Sequence, residues 1–524
     1  MDESVDNGNT KKGISKGLIA FIVAVLVVGG GVAAYVMLNF SDKEKYFLAE
    51  KSSIEFMSEK FEERYQPEMD WGEQTKEKPT ASTITLSGEY NDPYGGGFGA
   101  MGPEQFINNS TIEIQTATDL KEEQIAAKLK ANIGEMEIDD VNLYVNADEI
   151  LFGLPFIDEL LQVKGDDIGN ILHELDPDTF TDEKEYDLGN IFNEENAFLS
   201  EEDMEYFKKE YANMIYDELP DEAFDSTNDK IDVDGKSVKA EKITFHLSED
   251  EIKAILTKVL DKMEKDEKIK ELLKDQLAMQ IDDAIGQDVE EMLSEFETGI
   301  ADAKKGIKDF KIPDGLTSNI WVNDKLIVQR DFNIEMGPDE QDLVTFTVKG
   351  TQSLDDEAQV FNYDLGFKDE YDEGTMNVAG DLSWKDNKAK DSINLTVDET
   401  VLSYEGSETL KDGKRDFDRT FSYKDPYGGG GSLLWKGNAS FDKDQMNAEH
   451  NLSVGSPDMD QDMFILQIAV DGKTTKKVEA PDDGDVKDLG SMSADEITAY
   501  FNDDVGPGFQ QWLMEMIGTG GFGY

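Results

Sequence analysis

The sequence predicts an α+β protein in which an N-terminal transmembrane helix is followed by two curved antiparallel-sheet halves with packed amphipathic helices. Three observations predict this architecture: one uncharged apolar stretch near the N-terminus, long regions in which apolar and polar residues alternate, and segments in which apolar residues recur at helical spacing. Of the 524 residues, 38% are hydrophobic and 10% are aromatic, which is enough for packed cores.

The apolar stretch covers residues 18–38 and reads LIAFIVAVLVVGGGVAAYVML, close to the roughly 20 residues that cross a hydrocarbon core. Lys11, Lys12 and Lys16 precede it, so the positive-inside rule predicts a cytoplasmic tail at residues 1–17. A cleaved signal peptide is the alternative, but its apolar region is usually shorter. The sequence therefore predicts a single-pass cell-membrane protein whose C-terminal domain is extracytoplasmic.

A juxtamembrane helix and a linker are predicted for residues 39–80. Charged residues occupy one face of this helix, and the other face carries apolar residues near a 3.6-residue period. The apolar residues are Tyr46, Phe47, Ile54, Met57, Phe61 and Tyr65. Because the polar face mixes lysine and glutamate, we expect the helix to pack on the folded domain rather than on lipid.

A first α+β half is predicted at residues 81–312 and a second, β-rich half with C-terminal helices at residues 313–524. Alternating segments such as STITLSGEY, DLVTFTVKG and MFILQIAV predict antiparallel strands with one solvated face. Capping boxes predict where two helices begin, because a serine three residues before a glutamate satisfies the first backbone N–H groups. These boxes are Ser248 with Glu251, and Ser493 with Glu496.

Two similar segments, YNDPYGGG from Tyr90 and YKDPYGGG from Tyr423, each follow one predicted strand and precede another. Matching text suggests two related halves, and two similar hairpin loops on unrelated sheets are the alternative. Both segments lack the Gly-Lys-Ser/Thr of a phosphate-binding loop, so we interpret them as conformational loops. The candidate partner-binding residues are Tyr94, Gly95, Gly96, Gly97, Tyr427, Gly428, Gly429 and Gly430.

The composition excludes several classes of function. A formal charge of −65 excludes unaided nucleic-acid binding, since phosphate contacts need a basic face. The absence of cysteine excludes thiol chemistry and disulfides. Arginine, the residue best suited to bidentate phosphate clamps, is scarce, which disfavours phosphoryl transfer. Only four arginines are present: Arg64, Arg330, Arg415 and Arg419.

Neither a catalytic residue nor a cofactor is predicted. The three histidines, His173, His246 and His450, are scattered along the chain, and a lone histidine is more often structural than catalytic. The protein is therefore predicted not to be an enzyme. An enzyme that relies on carboxylates alone is the alternative, and it would need two buried Asp or Glu residues facing each other in a cleft.

Metal binding is left open by the sequence. Asp458, Asp460 and Asp462 place carboxylates at alternate positions, as in a calcium-binding loop. Met463 stands where an EF-hand loop needs glycine, and Ala469 stands at the position of its bidentate glutamate. The three aspartates are kept as candidate metal ligands outside any EF-hand.

The segments KEKYFLAEKSSIEFMSEKF, ILFGLPFIDELLQVKGDDIG and VKAEKITFHLSEDEIKAIL resemble an uncharacterised family of single-pass membrane-anchored extracytoplasmic proteins of Gram-positive bacteria. The resemblance covers most of the chain. It implies location and architecture, but it transfers no site residues because the family has no established activity. The curved sheet with helices is also similar to lipoprotein-carrier folds, and this similarity implies a hydrophobic concavity.

The function predicted from these features is non-enzymatic binding of a hydrophobic, lipid-like or cell-envelope ligand in the concave sheet. Aromatic residues are the candidate lining of that concavity, although each such residue is more often part of an ordinary core. They are Phe152, Trp321, Phe361, Trp384 and Trp435. The alternative is a structural or protein-interaction module of the cell envelope that uses its glycine-rich loops. The predicted partners are the membrane, through one N-terminal helix, and the ligand or an envelope protein.

Overall fold

A computed structural model of the protein describes residues 41–91, 103–134, 136–175, 188–192, 200–280, 289–457, 459–461, 463–481 and 485–519. The predicted cytoplasmic tail at 1–17 and the predicted transmembrane helix at 18–38 lie outside these residues. Within the described ranges, no helix combines the length and the apolar character that crossing a membrane requires.

Strands contain more of the described residues than any other type of element. In chain order they are Thr80–Tyr90 (β1), Thr111–Asp119 (β2), Gln124–Ile133 (β3), Met136–Asn146 (β4), Glu149–Gly153 (β5), Leu160–Lys164 (β6), Phe224–Val233 (β7), Lys236–Leu247 (β8), Leu316–Asn323 (β9), Leu326–Met336 (β10), Val344–Leu354 (β11), Ala358–Lys368 (β12), Glu373–Lys385 (β13), Lys388–Val397 (β14), Thr400–Lys411 (β15), Lys414–Lys424 (β16), Gly430–Asp442 (β17), Gln445–Gly455 (β18), Phe464–Thr474 (β19) and Val486–Asp488 (β20).

The α-helices are Asp42–Glu77 (α1), Pro103–Asn108 (α2), Gly165–Leu175 (α3), Glu201–Phe207 (α4), Asn213–Glu218 (α5), Glu249–Met263 (α6), Glu267–Gln280 (α7), Val289–Gly306 (α8), Ala494–Tyr500 (α9) and Gly506–Thr519 (α10). Short 3₁₀ or π turns occupy Leu188–Phe192, Lys208–Ala212, Asp221–Ala223 and Phe501–Val505. The predicted capping boxes at Ser248 and Ser493 are confirmed at the starts of α6 and α9.

The chain divides into two compact units. The first comprises Phe198–Asp381 and Asn394–Glu399 with the described part of Met1–Lys60, and the second comprises Phe61–Ala197, Leu382–Ile393 and Thr400–Tyr524. Helix α1 therefore contributes its N-terminal part to the first unit and its C-terminal part to the second. Pro67 lies inside α1, and Tyr65 just before it has non-helical angles of φ −106° and ψ 19°, as expected for a residue beside a proline kink.

In the first unit, strands β7 to β12 pair antiparallel in chain order. Helices α6 and α8 and the start of α1 pack against this sheet, because their apolar stripes need a partner surface. The most deeply buried side chains of this core include Phe47, Ile243, Leu247, Ile252 and Ile320. The predicted juxtamembrane helix is therefore part of a protein core at its N-terminal end.

In the second unit, strands β15 to β19 pair antiparallel in chain order, and β19 then pairs with β1. From β1 the sheet continues through β2 to β6, and β20 adds to β6 in parallel. The pairing of β1 with β19 joins residues at opposite ends of the chain, for example Thr80 and Thr474. A single sheet thus combines strands from both predicted halves.

The predicted fold class is wrong. Strands contain more of the described residues than helices do, the twenty described strands belong to one sheet, and no described helix could serve as a transmembrane anchor. Two separate curved halves are not formed, because β19 pairs with β1 rather than ending a second sheet. The physical reason is that alternation identifies strands but does not identify pairing partners that lie far apart in sequence. The predicted boundaries of the two halves themselves remain predictions.

Candidate functional site

One face of strands β15 to β18 contacts the C-terminal part of helix α1, and we call it the α1 face. In an antiparallel sheet, directly opposite residues share a face, and so do residues two apart on one strand. The register pairs Glu408 with Phe417 and Tyr404 with Phe421. It also pairs Arg419 with Trp435. All of these residues therefore belong to the α1 face.

The covered end of the α1 face contains a buried group of charged side chains, which we call the ion cluster. It consists of Arg64, Glu68, Asp391, Glu408, Arg415 and Arg419. Three arginines thus meet three carboxylates, so the cluster has no net formal charge. Burying charges is tolerated only when they are paired and hydrogen-bonded, and this arrangement meets both conditions.

Glu408 is the centre of the ion cluster, because three arginines share its carboxylate. Its Oε1 accepts hydrogen bonds from Arg419 Nη2 at 2.8 Å and from the Tyr65 hydroxyl at 2.9 Å, and Arg64 Nη2 lies 2.9 Å away. Its Oε2 accepts a hydrogen bond from Arg415 Nη1 at 2.8 Å. Loss of this carboxylate would leave three buried cations without their common partner.

Two of the arginines have further partners. Arg64 Nη2 donates to Asp391 Oδ2 at 2.6 Å. Arg415 Nε donates to Glu68 Oε1 at 2.5 Å, and its Nη2 donates to the backbone carbonyl of Arg64 at 2.6 Å. These contacts fix the C-terminal part of α1 on the sheet through both its side chains and its backbone.

The charges of the cluster keep Glu408 ionised. Burial by itself would raise the pKa of this carboxyl, but hydrogen bonding and charge from Arg64, with the charge of Arg419, outweigh burial and lower the pKa to about 2. At neutral pH the group is therefore a carboxylate, which accepts hydrogen bonds and has no proton to donate. This state suits a structural ion pair rather than a general acid.

Arg419 lies at the edge of the ion cluster, between two aromatic rings. Its guanidinium carbon is 4.6 Å from the ring centroid of Phe417 and 4.7 Å from that of Trp435, within cation–π range. Trp435 Nε1 donates to His450 Nδ1 at 3.1 Å. Because that nitrogen must accept, the hydrogen bond requires a neutral imidazole. Burial and, to a smaller extent, the positive charge of Arg419 lower the pKa of His450. This lowered pKa also favours the neutral imidazole.

The neutral state of His450 predicts a pH-dependent stability. In the unfolded chain the pKa is near 6.5, whereas the folded value is lower. Between these values the unfolded state binds more protons, so the stabilisation is complete above pH 6.5 and is lost as the pH falls toward the folded value. We expect the free energy of unfolding to decrease on acidification below pH 6.5. We expect His450→Gln to reduce the slope of this free energy against pH. Urea unfolding at several pH values measures that slope.

The exposed His246 provides the matched control, because His246→Gln makes the same change at a position away from Trp435 and Arg419. His246→Gln should leave the slope as it is in the wild type. An unchanged pH dependence in His450→Gln would contradict the assignment of a neutral, half-buried imidazole.

The uncovered end of the α1 face carries large apolar side chains, and we call them the apolar patch. The patch consists of Leu402, Phe421, Tyr423, Leu433 and Val454. Each residue is 36–45% exposed, although all five are apolar or aromatic and lie on adjacent strands. Register places Tyr423 opposite Leu402, and Leu433 between Phe421 and Val454. Contiguous exposed apolar side chains are typical of an interaction surface, whereas isolated ones are not.

The structure separates the five aromatic residues that the sequence proposes as a ligand lining. Trp321 and Phe361 belong to the first unit, and Phe152, Trp384 and Trp435 to the second. Trp321 is 7% exposed, and its Nε1 donates to Asp229 Oδ2 at 2.8 Å. The ring of Phe361 packs over Gly380, where a Cβ would lie 2.2 Å from it.

The three aromatic residues of the second unit differ in surroundings. Phe152 is partly exposed on β5. The ring of Trp384 lies 5.7 Å from the Arg64 guanidinium, and Trp435 contacts Arg419 at the edge of the ion cluster. Of the five aromatic residues, Trp384 and Trp435 therefore lie near the ion cluster.

The second glycine loop has a conformational explanation. Asp425 Oδ1 accepts hydrogen bonds from the backbone N–H groups of Tyr427 and Gly429, both at 2.8 Å, and thereby closes the turn between β16 and β17. Gly428 has a φ of +88°, which favours glycine. A Cβ at Gly429 would lie 2.3 Å from the Asp425 carboxylate. The motif is thus accounted for by its turn, and Tyr427 is 96% exposed.

The other candidate loop and metal residues are only partly described. Tyr94, Gly95, Gly96 and Gly97 lie outside the described residues, as do Asp458 and Asp462. Gly430 and Asp460 line one cavity of about 770 Å³ together with Asn91 and Ser432. Among the residues that the structure describes, no group of three or more His, Cys, Asp or Glu side chains could hold a metal ion.

Sequence reasoning missed the ion cluster, although the chain contained a signal. Three of the four arginines converge on Glu408, and the fourth, Arg330, forms a bidentate pair with Glu50 at 2.7 and 2.5 Å in the first unit. Nearly all basic residues of this chain are lysines, whereas its four arginines form planar pairs with carboxylates. The rarity of arginine was therefore a signal that the few arginines present have structural roles.

Comparisons with known proteins give no close relative. No known protein family and no curated protein matches the chain. Matching crystal structures include Pseudomonas aeruginosa OccK9 (OpdG), at 6% identity over 75% of this chain and 97% of that chain with a TM-score of 0.23. Acinetobacter baumannii OccAB4 matches at 7% identity over 76% and 97%, also with a TM-score of 0.23. A BenF-like porin from Pseudomonas fluorescens Pf-5 matches at 7% over 76% and 98%, again at 0.23. At such TM-scores these structures carry no argument about function.

Several predictions are corrected by these findings. The predicted membership of a Gram-positive single-pass family is wrong, since no known protein family matches the chain. The predicted single-pass localisation and the predicted partnership with the membrane through one helix are corrected as well, because no helix among the described residues could span a membrane. The predicted hydrophobic, lipid-like or envelope ligand is also corrected, because its five aromatic lining residues are divided between the two units. The envelope module based on glycine loops is corrected as well, because the described loop is accounted for by its turn. The resemblance was based on short sequence motifs of moderate specificity. Such motifs do not determine which strands of a sheet pair with each other.

Proposed function

We propose that this protein binds basic amphipathic peptides on the apolar patch. The observation that carries the proposal is the set of five exposed apolar side chains on four adjacent strands. Leaving these side chains in water costs free energy, at about 25 cal/mol for each Å² of apolar surface that a partner could cover. The proposal contains no catalytic step, in keeping with the prediction that the protein is not an enzyme.

The dimensions of the patch suit one helix. Strands β15 to β18 span three inter-strand spacings of about 4.8 Å each, or about 14 Å. A helix with its side chains is about 10–12 Å across, so a single helix fits this width. An amphipathic peptide would place apolar residues at positions i, i+3, i+4 and i+7 on the patch and keep its charged face in solvent.

The charge of the protein favours a basic occupant. With a formal charge of −65, the chain attracts cations over a distance set by the salt concentration and repels anionic polymers. A second copy of the same chain carries the same charge, so covering the patch by self-association works against repulsion between two strongly acidic molecules. A cationic peptide combines an apolar face for the patch with a charge of the opposite sign.

The α1 face already holds one helix in this manner. The C-terminal part of α1 lies on the covered end, where Arg64 contacts Asp391 and Glu408. Further along α1, Trp71 packs on the sheet at Gly472, where a Cβ would lie 3.1 Å from its ring. Helix α1 thus binds the sheet through an arginine and an aromatic ring. This arrangement supports a similar binding mode for a separate helical peptide.

A peptide titration of the full-length chain tests the proposal. The probe is a fluorescently labelled 15-residue helix with leucines on one face and lysines on the other, and a scrambled peptide of equal composition is the comparison. We expect saturable binding, measured by anisotropy, that weakens as salt increases. Leu433→Ser should weaken binding by about tenfold or more, because one buried leucine contributes roughly 1.5–3 kcal/mol.

Leu434→Ser is the matched control, since it makes the same change at the next residue of β17, on the opposite face of the sheet. It should bind the peptide like the wild type, and thermal melts of both variants verify folding. Equal weakening by the two variants, or no preference for the amphipathic peptide over the scrambled one, would overturn the proposal. So would concentration-dependent dimerisation that Leu433→Ser abolishes, because the patch would then be covered by a second copy.

A further inference from the structure

Arg419 stands at the boundary between the ion cluster and the apolar patch. It lies on β16 two residues from Phe421, so the two side chains share the α1 face about 7 Å apart along the strand. Its cross-strand neighbour is Trp435, which is two residues from Leu433 of the patch. A peptide on the patch would therefore have the Arg419 side chain at one end.

Among the arginines of the ion cluster, Arg419 has the fewest hydrogen bonds. Arg419 donates to Glu408 through Nη2, and its Nε is buried without an acceptor in the described structure. Arg64 and Arg415 each contact a second carboxylate besides Glu408. A buried N–H without an acceptor costs about 1–3 kcal/mol, so this donor calls for an explanation.

The guanidinium of Arg419 is nevertheless held in a defined orientation. Phe417 and Trp435 both lie within 5 Å of it, and Glu408 fixes one of its terminal nitrogens. The side chain keeps 14% of its surface exposed, so it is not sealed inside the sheet. An oriented arginine with spare donors is the side chain best suited to bind a carboxylate through two parallel hydrogen bonds.

We propose that Arg419 recognises the C-terminal carboxylate of the peptide bound on the apolar patch. This inference rests on the proposed function and identifies the polar side chain that would recognise the peptide. The peptide lies with its apolar residues on Phe421 and Leu433, and its last residue reaches Arg419. The carboxylate accepts hydrogen bonds from the exposed part of the Arg419 guanidinium. Lysines along the peptide offset the negative charge of this carboxylate in the field of the acidic protein.

Two forms of one peptide test the inference: the amphipathic 15-residue helix with a free C-terminal carboxylate, and the same helix with a C-terminal amide. The full-length wild-type chain should bind the free acid about tenfold more tightly, because a hydrogen bond to a charged group contributes about 1.5–3 kcal/mol. The amide form carries one more net positive charge, so general attraction to the acidic protein favours it and opposes the expected result.

Arg419→Gln should bind the two forms equally, and a thermal melt shows whether this variant folds. Arg419→Lys serves as a second variant if the glutamine chain unfolds, since it retains the charge without the planar fork, and it should keep less than the wild-type preference. Equal binding of acid and amide by the wild type would overturn this inference and leave the proposed function standing. Binding of neither form, by contrast, would overturn both.

Discussion

Replacing Glu408 with glutamine is expected to lower the free energy of unfolding of the second unit by about 3–5 kcal/mol, as is typical when one member of a buried ion pair is removed. Glu408 accepts hydrogen bonds from Arg415, Arg419 and Tyr65, and a neutral amide cannot balance the arginine charges. The second unit should therefore unfold at lower denaturant concentration. Guanidinium unfolding followed by tryptophan fluorescence measures this shift.

Glu405→Gln is the control for this prediction, because Glu405 is an exposed residue on the same strand and the opposite face. It should unfold like the wild type. The wild type should also lose stability in acid: the pKa of Glu408 is about 2 in the folded state and near 4.5 ordinarily, so its stabilisation is present above pH 4.5 and is lost as the pH falls toward 2. A change below about 1 kcal/mol in Glu408→Gln would show that the cluster contributes little.

Replacing Phe47 with alanine is expected to destabilise the first unit by about 3–5 kcal/mol, the usual effect of removing a fully buried aromatic ring. Phe47 is 2% exposed, and its ring contacts those of Tyr46, Tyr216 and Phe224 at centroid distances of 5.2, 5.3 and 5.8 Å. The cavity would lie where the start of α1 meets the sheet. Hydrogen exchange in β7 and β8 should increase accordingly.

Ile54→Ala offers a comparison on the same helix, since Ile54 is 62% exposed. This variant should retain wild-type protection in β7 and β8. If Phe47→Ala also retained it, the start of α1 would not be part of the cooperative core of the first unit.

The α1 face connects stability with the proposed function. At one end, the ion cluster fixes the C-terminal part of α1 on β15 and β16. At the other end, the same face exposes the apolar patch. The effects of Glu408→Gln and of Leu433→Ser should therefore be separable, the first acting on unfolding and the second on peptide binding. Variants of Arg419 lie at the boundary and need both measurements.

Local structure was largely readable from the sequence. The capping boxes at Ser248 and Ser493 are found at helix starts, because they depend only on residues three apart. The alternating segment STITLSGEY lies within β1, and MFILQIAV overlaps β19. The helical stripe from Tyr46 to Tyr65 lies in α1, although the helix continues past Pro67 to Glu77. The candidate site was not predicted, since its residues come from segments more than 300 positions apart, as with Arg64 and Glu408.

By itself, the sequence determined the strongly acidic character of this protein, the positions of many strands and helices, and the absence of thiol chemistry. Tertiary structure alone decided that β19 pairs with β1, that three scarce arginines meet at Glu408, and that five apolar side chains stay exposed on one face. Periodicity and capping follow from contacts between near neighbours in the chain. Pairing and burial depend on which distant segments meet, because one sheet register fixes the face of every side chain at once.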